Sequence, residues 1–387
     1  METTPAPALS GFSSLATIDL GAIRYNVAEL RRRAGSADLM AVVKADAYGH
    51  GLVPAARAAL AGGASWLGVA QLTEALELRR AGVTAPLLTW LYVPGADLGA
   101  ALAADIDVAV TGLWTLREVE AAARECGLPA RIHLKVDTGL ARGGAWGAEW
   151  EELMPAVAAL AAEHVVQVVG IFSHFAYADA PQHPTVRAQQ ERFEGAIAEL
   201  TRVGITPQLR HLANSAATLT NPSAHYDLVR PGIAMYGHSP VPDLGSSADF
   251  GLREAMRLTA RLAHVKDAPA DQGVSYGHTY RTTAETTVGL VPMGYSDGVP
   301  RNASNVGPVS IGGERFTIAG RVCMDQFVVD LGRGTSARPG DEVVLFGVGA
   351  DGEPTAQDWA AATDTISYEL VTRVGARVAR TWIGGEA

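Results

Sequence analysis

The sequence is poor in cysteine, with only Cys126 and Cys323 among its 387 residues. The two lie far apart, in no spacing typical of a disulfide framework or a zinc site. We therefore expect no metal centre and no adaptation to an oxidising compartment.

Basic charge is also in short supply, because 31 Lys and Arg residues face 41 Asp and Glu residues, for a formal net charge of -10. The sequence has no basic patch interleaved with aromatic residues, which excludes nucleic acid as an expected partner. No apolar run approaches the length of a membrane span, and the first residues carry no basic region followed by an apolar core. We expect a cytoplasmic protein without a membrane partner, in which residues 1–15 form a disordered or frayed tail.

What the chain does contain is enough apolar sequence for two domains, since 48% of its 387 residues are hydrophobic. Short β-branched runs alternate with helical, alanine-rich stretches over the first two thirds, as in βα units that feed a parallel sheet. Eight candidate strands can be counted, the number that a closed barrel needs. They span residues 39–43, 66–70, 87–90, 108–110, 131–136, 168–172, 209–212 and 228–229.

The pattern predicts an α/β fold, a (β/α)8 TIM-like barrel over residues 16–245, followed by a mostly β domain over residues 246–387. A doubly wound sheet is the alternative, but it normally carries a glycine-rich turn after its first strand, and here Lys44 stands at that place. The boundary is set by residues 239–250, which are rich in Pro, Gly, Ser and Asp. Beyond them strands dominate, with one helix expected at residues 356–362 behind a Thr355 cap.

The segment AVVKADAYGHG, residues 41–51, ends an apolar run on Lys44. A lysine that closes a buried strand loses hydration, which lowers its pKa and favours Schiff-base chemistry. The plain alternative is a lysine that extends its amine to solvent. This segment alone does not decide between the two.

Other polar residues follow the remaining predicted strands at the same end. Because the carboxyl ends of barrel strands form one face, these residues should meet around a single mouth. They are Lys135 and Arg142, His174, Asn214 and Ser215, and Arg230.

A phosphate site is expected beside this mouth. Gly232 and the amides of Ile233 and its neighbour follow the last strand, where backbone N–H groups can hold a phosphate. Ser215 and Tyr48 could donate hydroxyls to the same group. A lysine opposite a phosphate site fits pyridoxal 5'-phosphate (PLP).

Taken together, these segments make the chain resemble the alanine racemase family of PLP enzymes, which combine a barrel with a β domain. The resemblance covers nearly the whole chain. It rests on the segments VVKADAYGHG, HLKVDTGLARGG, FSHFA, LANSAA, VRPGIAMYG, GVSYGHTY, VPMGYSDG, AGRVCMDQ and TISYEL.

The resemblance implies racemisation of alanine by two bases, which supplies D-alanine for peptidoglycan. Lys44 would bond the cofactor and serve as one base, and Tyr276 from the partner subunit would be the other. A histidine bonded to an arginine would adjust this tyrosine, and His174 and Arg230 match them. Arg230 would also contact the cofactor's ring nitrogen, and the enzyme would be a homodimer with shared active sites.

The resemblance also implies the substrate and cofactor contacts. Arg142 and the Met324 amide would hold the alanine carboxylate, and Lys135 would be carbamylated, a modification that the sequence cannot reveal. The remaining residues that the resemblance places at the site are Asp325 and Arg301 in one polar network, Tyr295, which narrows the site, and Tyr368, which reaches the phosphate.

Three alternatives stay open at this point. A broad-specificity racemase, acting for example on serine, or a decarboxylase of the same fold would share Lys44 and the phosphate site. A non-catalytic PLP-binding protein would share the barrel but not Tyr276 and its domain. A metal-dependent barrel hydrolase would need clustered ligands that the sequence lacks.

Overall fold

The computed structural model describes residues 11–385, so residues 1–10 of the expected tail lie outside it. Strand β1 (Ser14–Asp19) corrects the rest of that expectation. It pairs with two strands of the C-terminal part of the chain, and Ser14 and Leu15 are buried there. Both edges of β1 are hydrogen-bonded to neighbouring strands, so its backbone N–H and C=O groups are satisfied.

The described chain divides into two units, one spanning Gly21–Arg253 and the other combining residues 11–20 with residues 254–385. The division corrects the expected boundary at residue 245. Residues 239–250 belong to the first unit, where the Ser239 hydroxyl donates to the Gly245 carbonyl (2.7 Å) and stabilises a turn. These residues resemble a linker in composition, because Pro, Gly, Ser and Asp are common in ordered turns as well as in linkers.

The first unit is a parallel sheet surrounded by helices, as expected for a (β/α)8 barrel. Its strands are β2 (Asp38–Val42), β3 (Trp66–Val69), β4 (Leu87–Thr89), β5 (Asp107–Val110), β6 (Ala130–Lys135), β7 (Val166–Phe172), β8 (Leu209–His211) and β9 (Leu228–Val229). The helices are α1 (Leu20–Ala34), α2 (Lys44–Gly49), α3 (Leu52–Ala61), α4 (Leu72–Arg80), α5 (Leu98–Ala103), α6 (Leu113–Cys126), α7 (Gly147–Ala162), α8 (Pro184–Arg202) and α9 (Ser215–Thr220).

All eight predicted barrel strands are confirmed, with ends that shift by one or two residues. The sheet runs in the order β8-β7-β6-β5-β4-β3-β2-β9. Two backbone hydrogen bonds join the chain segments around β8 and β9, the strands at the two ends of this order. Asp227 N–H donates to Arg210 O (3.1 Å), and Arg230 N–H donates to Ala213 O (2.9 Å). These bonds nearly close the sheet into a barrel.

Part of the barrel interior is packed with apolar side chains from several strands. Met40, Trp66, Leu88, Val169 and Leu228 form one buried cluster, and Trp90 and Leu209 pack against it. The interior is therefore a packed core, and the polar residues that follow the strands lie at its rim.

The second unit is mostly β, as predicted. Besides β1 it contains β10 (Met256–Arg261), β11 (His264–Ala268), β12 (Gly273–Val274), β13 (Tyr280–Arg281), β14 (Thr286–Val291), β15 (Pro308–Ile311), β16 (Glu314–Thr317), β17 (Phe327–Asp330), β18 (Glu342–Phe346) and β19 (Ala379–Ile383). Its sheets have the orders β16-β15-β18-β10-β1-β19, β11-β14-β17 and β12-β13.

Two helices complete this unit, α10 (Ala356–Ala362) and α11 (Ser367–Thr372). The first is the predicted helix, and Thr355 caps it by accepting a hydrogen bond from Asp358 N–H (3.1 Å). The second was not predicted, because six residues are too few to show a helical period.

Glu254, which belongs to this unit, carries a perturbed carboxyl group. Burial raises its pKa to about 8, and the negative charges of Asp358 and Glu353 act in the same direction. In the unfolded chain a glutamate titrates near ~4.3. Between these values the unfolded state has released the proton and the folded state still holds it, so stability falls as pH rises.

We therefore predict that Glu254→Gln stabilises the protein at pH 8, because the amide needs no proton to stay neutral. The midpoint of thermal unfolding should rise by roughly 2–4 °C at pH 8, and the gain should shrink toward pH 5. Calorimetry of both proteins at several pH values measures this. The control is Glu314→Gln on an exposed strand position. An equal gain at both pH values would contradict the assignment.

Candidate active site

Lys44 is separated by one residue from the end of the first barrel strand and is half-buried. Burial lowers the pKa of its ammonium group, the positive charge of Arg142 lowers it further, and Glu74 partly opposes both. A lowered pKa is the condition that a Schiff-base role of Lys44 would require.

Element α2, which begins at Lys44, is a left-handed turn and not a regular α-helix. The φ angles of Ala45, Asp46, Ala47 and Tyr48 are 55°, 52°, 54° and 54°. This conformation costs about 1–2 kcal/mol per non-glycine residue. Hydrogen bonds offset the cost: Ala47 N–H donates to Val43 O (2.9 Å), and the Asp46 carboxylate accepts from the Leu52 N–H (2.7 Å). The turn fixes the path of the chain on both sides of Tyr48.

Several hydrogen-bonding groups converge at the position where the sequence predicts a phosphate site. Ser215 Oγ accepts hydrogen bonds from the N–H groups of Gly232 (2.8 Å) and Ala234 (3.3 Å). A Cβ atom at Gly232 would overlap the Tyr48 hydroxyl, so this hydroxyl reaches the same point. Two hydroxyls and two amides around one position suit a phosphate group.

Ile233 and Asn214 are the neighbours in the chain of Gly232 and Ser215, which form this cradle of hydrogen-bonding groups. Ile233 begins a short 3-10 turn, Ile233–Tyr236, and is fully buried. Asn214 caps α9, with its side-chain oxygen accepting from Ala217 N–H (3.1 Å). The cap holds Ser215 at the start of the helix.

Four cationic side chains act on one another at this mouth: Lys44, Lys135, Arg142 and Arg230. Burial and the positive charges of Arg142 and Arg230 together lower the pKa of Lys135 to about 8. A concentration of positive charge of this kind attracts phosphate and carboxylate groups.

The loop that carries Arg142 is organised by Asp137. Its carboxylate accepts hydrogen bonds from the N–H groups of Gly139 (2.8 Å), Leu140 (3.0 Å), Ala141 (3.1 Å) and Arg142 (3.1 Å). Burial acts to raise the pKa of Asp137, but these four bonds lower it on balance. Asp137 thus stays anionic and holds the backbone at Arg142 in place.

His174 is neutral at physiological pH. Burial lowers its pKa to about 3, and the positive charges of Arg230 and Arg142 act in the same direction. A neutral imidazole can donate or accept a hydrogen bond but adds no positive charge to the mouth.

The structure corrects the expected pair of His174 and Arg230. The imidazole bonded to Arg230 is that of His211, with Arg230 Nη1 3.2 Å from His211 Nδ1. Arg230 Nη2 donates to the carbonyl oxygens of Ser173 (2.6 Å) and Leu212 (3.3 Å). No sequence signal distinguished His211, although it precedes Asn214 and Ser215 by only a few residues.

Tyr276 lies in the second unit, at the tip of the hairpin formed by β12 and β13, and is 72% exposed. The residues beside it, Ser275 (φ 59°) and Gly277 (φ 70°), are left-handed. The Ser275 hydroxyl donates to the Arg321 carbonyl (2.7 Å) and anchors the turn. The turn thus presents the tyrosine side chain to solvent.

Met324, Asp325 and Tyr295 lie close together in the same unit. Tyr295 N–H donates to Cys323 O (3.0 Å), and the Ser296 hydroxyl donates to the Met324 carbonyl (2.7 Å). Met324 is 54% and Tyr295 44% exposed, so two apolar side chains face solvent beside each other.

The polar network around Asp325 differs from the expected one. The residue that forms an ion pair with Asp325 in the described chain is Arg377, whose Nη1 lies 2.6 Å from the carboxylate. Arg377 also contacts Asp297 (3.0 Å), whereas Arg301 lies exposed in the turn Arg301–Ala303. Tyr368 is half-buried on α11.

The residues of the barrel mouth fit PLP. Its aldehyde needs an amine, its phosphate needs hydroxyl and amide donors, and its ring nitrogen needs a polar partner. Lys44, the cradle around Ser215 and Gly232, and Arg230 supply these groups within one unit. Among residues 11–385, no group of three or more His, Cys, Asp or Glu side chains could hold a metal ion.

Comparisons with known proteins agree along the whole chain. Two family models match, the alanine racemase N-terminal domain over residues 18–240 and the C-terminal domain over residues 255–382. An alanine racemase of Frankia casuarinae is 58% identical over 378 residues, which cover 98% of this chain and 98% of that protein. One of Streptomyces coelicolor is 56% identical and covers 95% of each chain.

The fold of this chain is also closely similar to that of a solved structure. The alanine racemase from D-cycloserine-producing Streptomyces lavendulae superposes with a TM-score of 0.96 at 54% identity, covering 97% of this chain and 98% of that one. Fold and site define a class of barrel enzymes that combine a strand-end lysine with a separate β-rich domain. Within this class, the chain belongs to the alanine racemase family.

The strained turn leads to a prediction about Ala45, which is exposed. Glycine adopts its conformation without steric cost, whereas a β-branched side chain does not. We predict that Ala45→Gly changes the unfolding temperature by less than about 2 °C, while Ala45→Val lowers it by roughly 2 °C or more. Thermal melts followed by circular dichroism measure both.

The matched control is Ala148→Val, which places the same side chain at an exposed helical position. It should be tolerated better than Ala45→Val. Equal destabilisation by the two valines would count against strain in the turn.

Proposed function

We propose that this chain interconverts L-alanine and D-alanine with PLP as its cofactor, by a two-base reaction. Family membership supports the reaction. The observation that carries the cofactor assignment is the half-buried Lys44 amine in the same mouth as the donors around Ser215 and Gly232. A role in supplying D-alanine for peptidoglycan, and a cytoplasmic location, stay predictions.

The barrel residues would hold the cofactor as follows. Lys44 would bond it, and Tyr48, Ser215, Gly232 and Ile233 would hold the phosphate. Arg230 would face the ring nitrogen. Further support would come from Asn214, His174 and Tyr368. When bound, PLP withdraws electrons from the substrate α-carbon and so makes its proton removable.

Lys44 would move the proton on one face of the α-carbon. Its lowered pKa supports this role, since a base must be unprotonated for part of the time near neutral pH. Tyr276 would move the proton on the other face. Racemisation needs both, because a proton removed from one face has to be replaced from the opposite one.

Arg142 would hold the substrate carboxylate, helped by the Met324 amide, with Asp325, Arg301 and Tyr295 shaping the entrance. We also propose that Lys135 is carbamylated. Its pKa of about 8 leaves part of it neutral, and a neutral amine adds carbon dioxide with release of a proton. The product is an anion, which would offset the repulsion from Arg142 and Arg230.

A homodimer follows from this assignment. Tyr276, Met324 and Tyr295 are all strongly exposed in the single chain, which suits residues that complete the site of a partner copy. Two identical sites would then be shared across one two-fold interface.

The proposed function predicts that Lys44→Ala and Tyr276→Phe each abolish most alanine racemisation, with losses of about 10²–10⁴-fold in kcat. Optical rotation of L-alanine in the presence of purified protein and PLP measures this. Lys266→Ala and Tyr25→Phe are matched controls on outer surfaces and should keep full activity.

The same assay separates the alternatives. Turnover of L-serine and other amino acids as fast as L-alanine would indicate a broad-specificity racemase, and release of carbon dioxide a decarboxylase. Cofactor absorbance without turnover of any amino acid would indicate a PLP-binding protein and contradict the proposal.

Shared sites predict complementation between the two inactive variants. A mixed dimer of Lys44→Ala and Tyr276→Phe chains holds one site with both changes and one with neither. After dissociation and random reassociation, about a quarter of wild-type activity should return. Sedimentation at assay concentration checks the dimer. A fully active monomer, or a mixture that stays inactive despite exchange, would refute the shared site.

A further inference from the structure

A continuous chain of polar side chains runs through the barrel interior from Arg230 to Asp107. Arg230 Nη1 lies 3.2 Å from His211 Nδ1, and His211 Nε2 lies 2.8 Å from His133 Nδ1. His133 Nε2 lies 3.1 Å from Asp107 Oδ2. Arg131 closes the far end, with Nε 2.7 Å from Asp107 Oδ1.

The direction of these hydrogen bonds is fixed by the chemistry of the two end groups. A guanidinium group only donates, so His211 must accept at Nδ1 and carry its proton at Nε2. His133 must then accept at Nδ1 and carry its proton at Nε2. That proton faces the Asp107 carboxylate, which only accepts. The direction of each hydrogen bond in this series therefore determines the direction of the next one.

The rings are held in this arrangement by their neighbours. Phe172 stacks on His211 with centroids 5.0 Å apart, and Trp66 meets the edge of His133 at 5.5 Å. Gly170 makes room for His133, because a Cβ atom there would overlap its ring. His133 and His211 are fully buried and Asp107 is 2% exposed, so water cannot replace a lost partner.

We propose that Asp107, His133 and His211 are positioning residues for the reaction, because their one-directional chain holds the Arg230 guanidinium. This deepens the proposed function and rests on it. Within the described chain, the bonds to His211, Ser173 and Leu212 account for three of the five N–H donors of Arg230. The remaining donors can then keep a fixed orientation toward the cofactor's ring nitrogen.

The first test measures the histidine tautomers in cofactor-free protein by ¹⁵N NMR with labelled histidine. His133→Gln and His211→Gln assign the signals by loss. We expect both rings of the wild type to be neutral and protonated at Nε2. A proton at Nδ1 of either ring would overturn the proposal, and this measurement does not depend on any turnover of alanine.

The second test uses Asp107→Asn, whose amide can either donate or accept and so no longer fixes the direction. We expect mixed tautomers at His133 and a fall in kcat for alanine of about 10- to 100-fold with little change in KM. The control is Asp105→Asn, which is exposed and lies 4.0 Å from the same Arg131. It should keep wild-type tautomers and kcat within about twofold.

The outcomes are distinct. Unchanged kcat in a folded Asp107→Asn protein would overturn the positioning role. If this variant does not fold, as judged by circular dichroism, the tautomers of the wild type still decide the direction of the chain. A wild type with the expected tautomers that does not racemise alanine would contradict the proposed function and not the hydrogen-bond chain.

Discussion

The burial of several cationic side chains at one barrel mouth is the constraint on which the site depends. Burial lowers the pKa values of Lys44, Lys135 and His174, and the positive charge of Arg142 lowers all three further. Such a cluster is unfavourable by itself and becomes favourable when anions neutralise it. The same constraint lowers the pKa of Lys44 and of His174, and the positive charge gathered there is complementary to anionic groups.

Rigid and unusual local structures hold this mouth together. The left-handed turn directs the chain from Lys44 to Tyr48, and the Asp137 carboxylate organises the loop before Arg142. Below them, the buried histidines connect Arg230 to the core. Each device carries a cost in strain or desolvation, and each fixes a polar side chain that would otherwise sample many rotamers.

Sequence patterns identified the features that depend on neighbouring residues in the chain. The barrel strands were recognisable because a buried parallel strand is a short apolar run between turns, and strand ends marked Lys44 and Arg230. The partner of Arg230 was not recognisable, since His211 at the end of β8 and His174 just after β7 occupy similar positions and only geometry distinguishes them. Arg377, the partner of Asp325, was missed because an exposed arginine in a C-terminal loop carries no signal.

The sequence by itself determined the order of the elements, the barrel, the β-rich character of the second unit and the residue types that chemistry needs. Tertiary structure decided that β1 joins the C-terminal strands, that the domain boundary lies beyond the proline-rich turn, and which imidazole meets Arg230. The physical reason is the separation along the chain over which each kind of interaction acts. Periodicity and turn chemistry act over a few neighbouring residues, whereas these pairings join residues far apart in the chain, and only the folded backbone brings their hydrogen-bonding groups within 3 Å or so of each other.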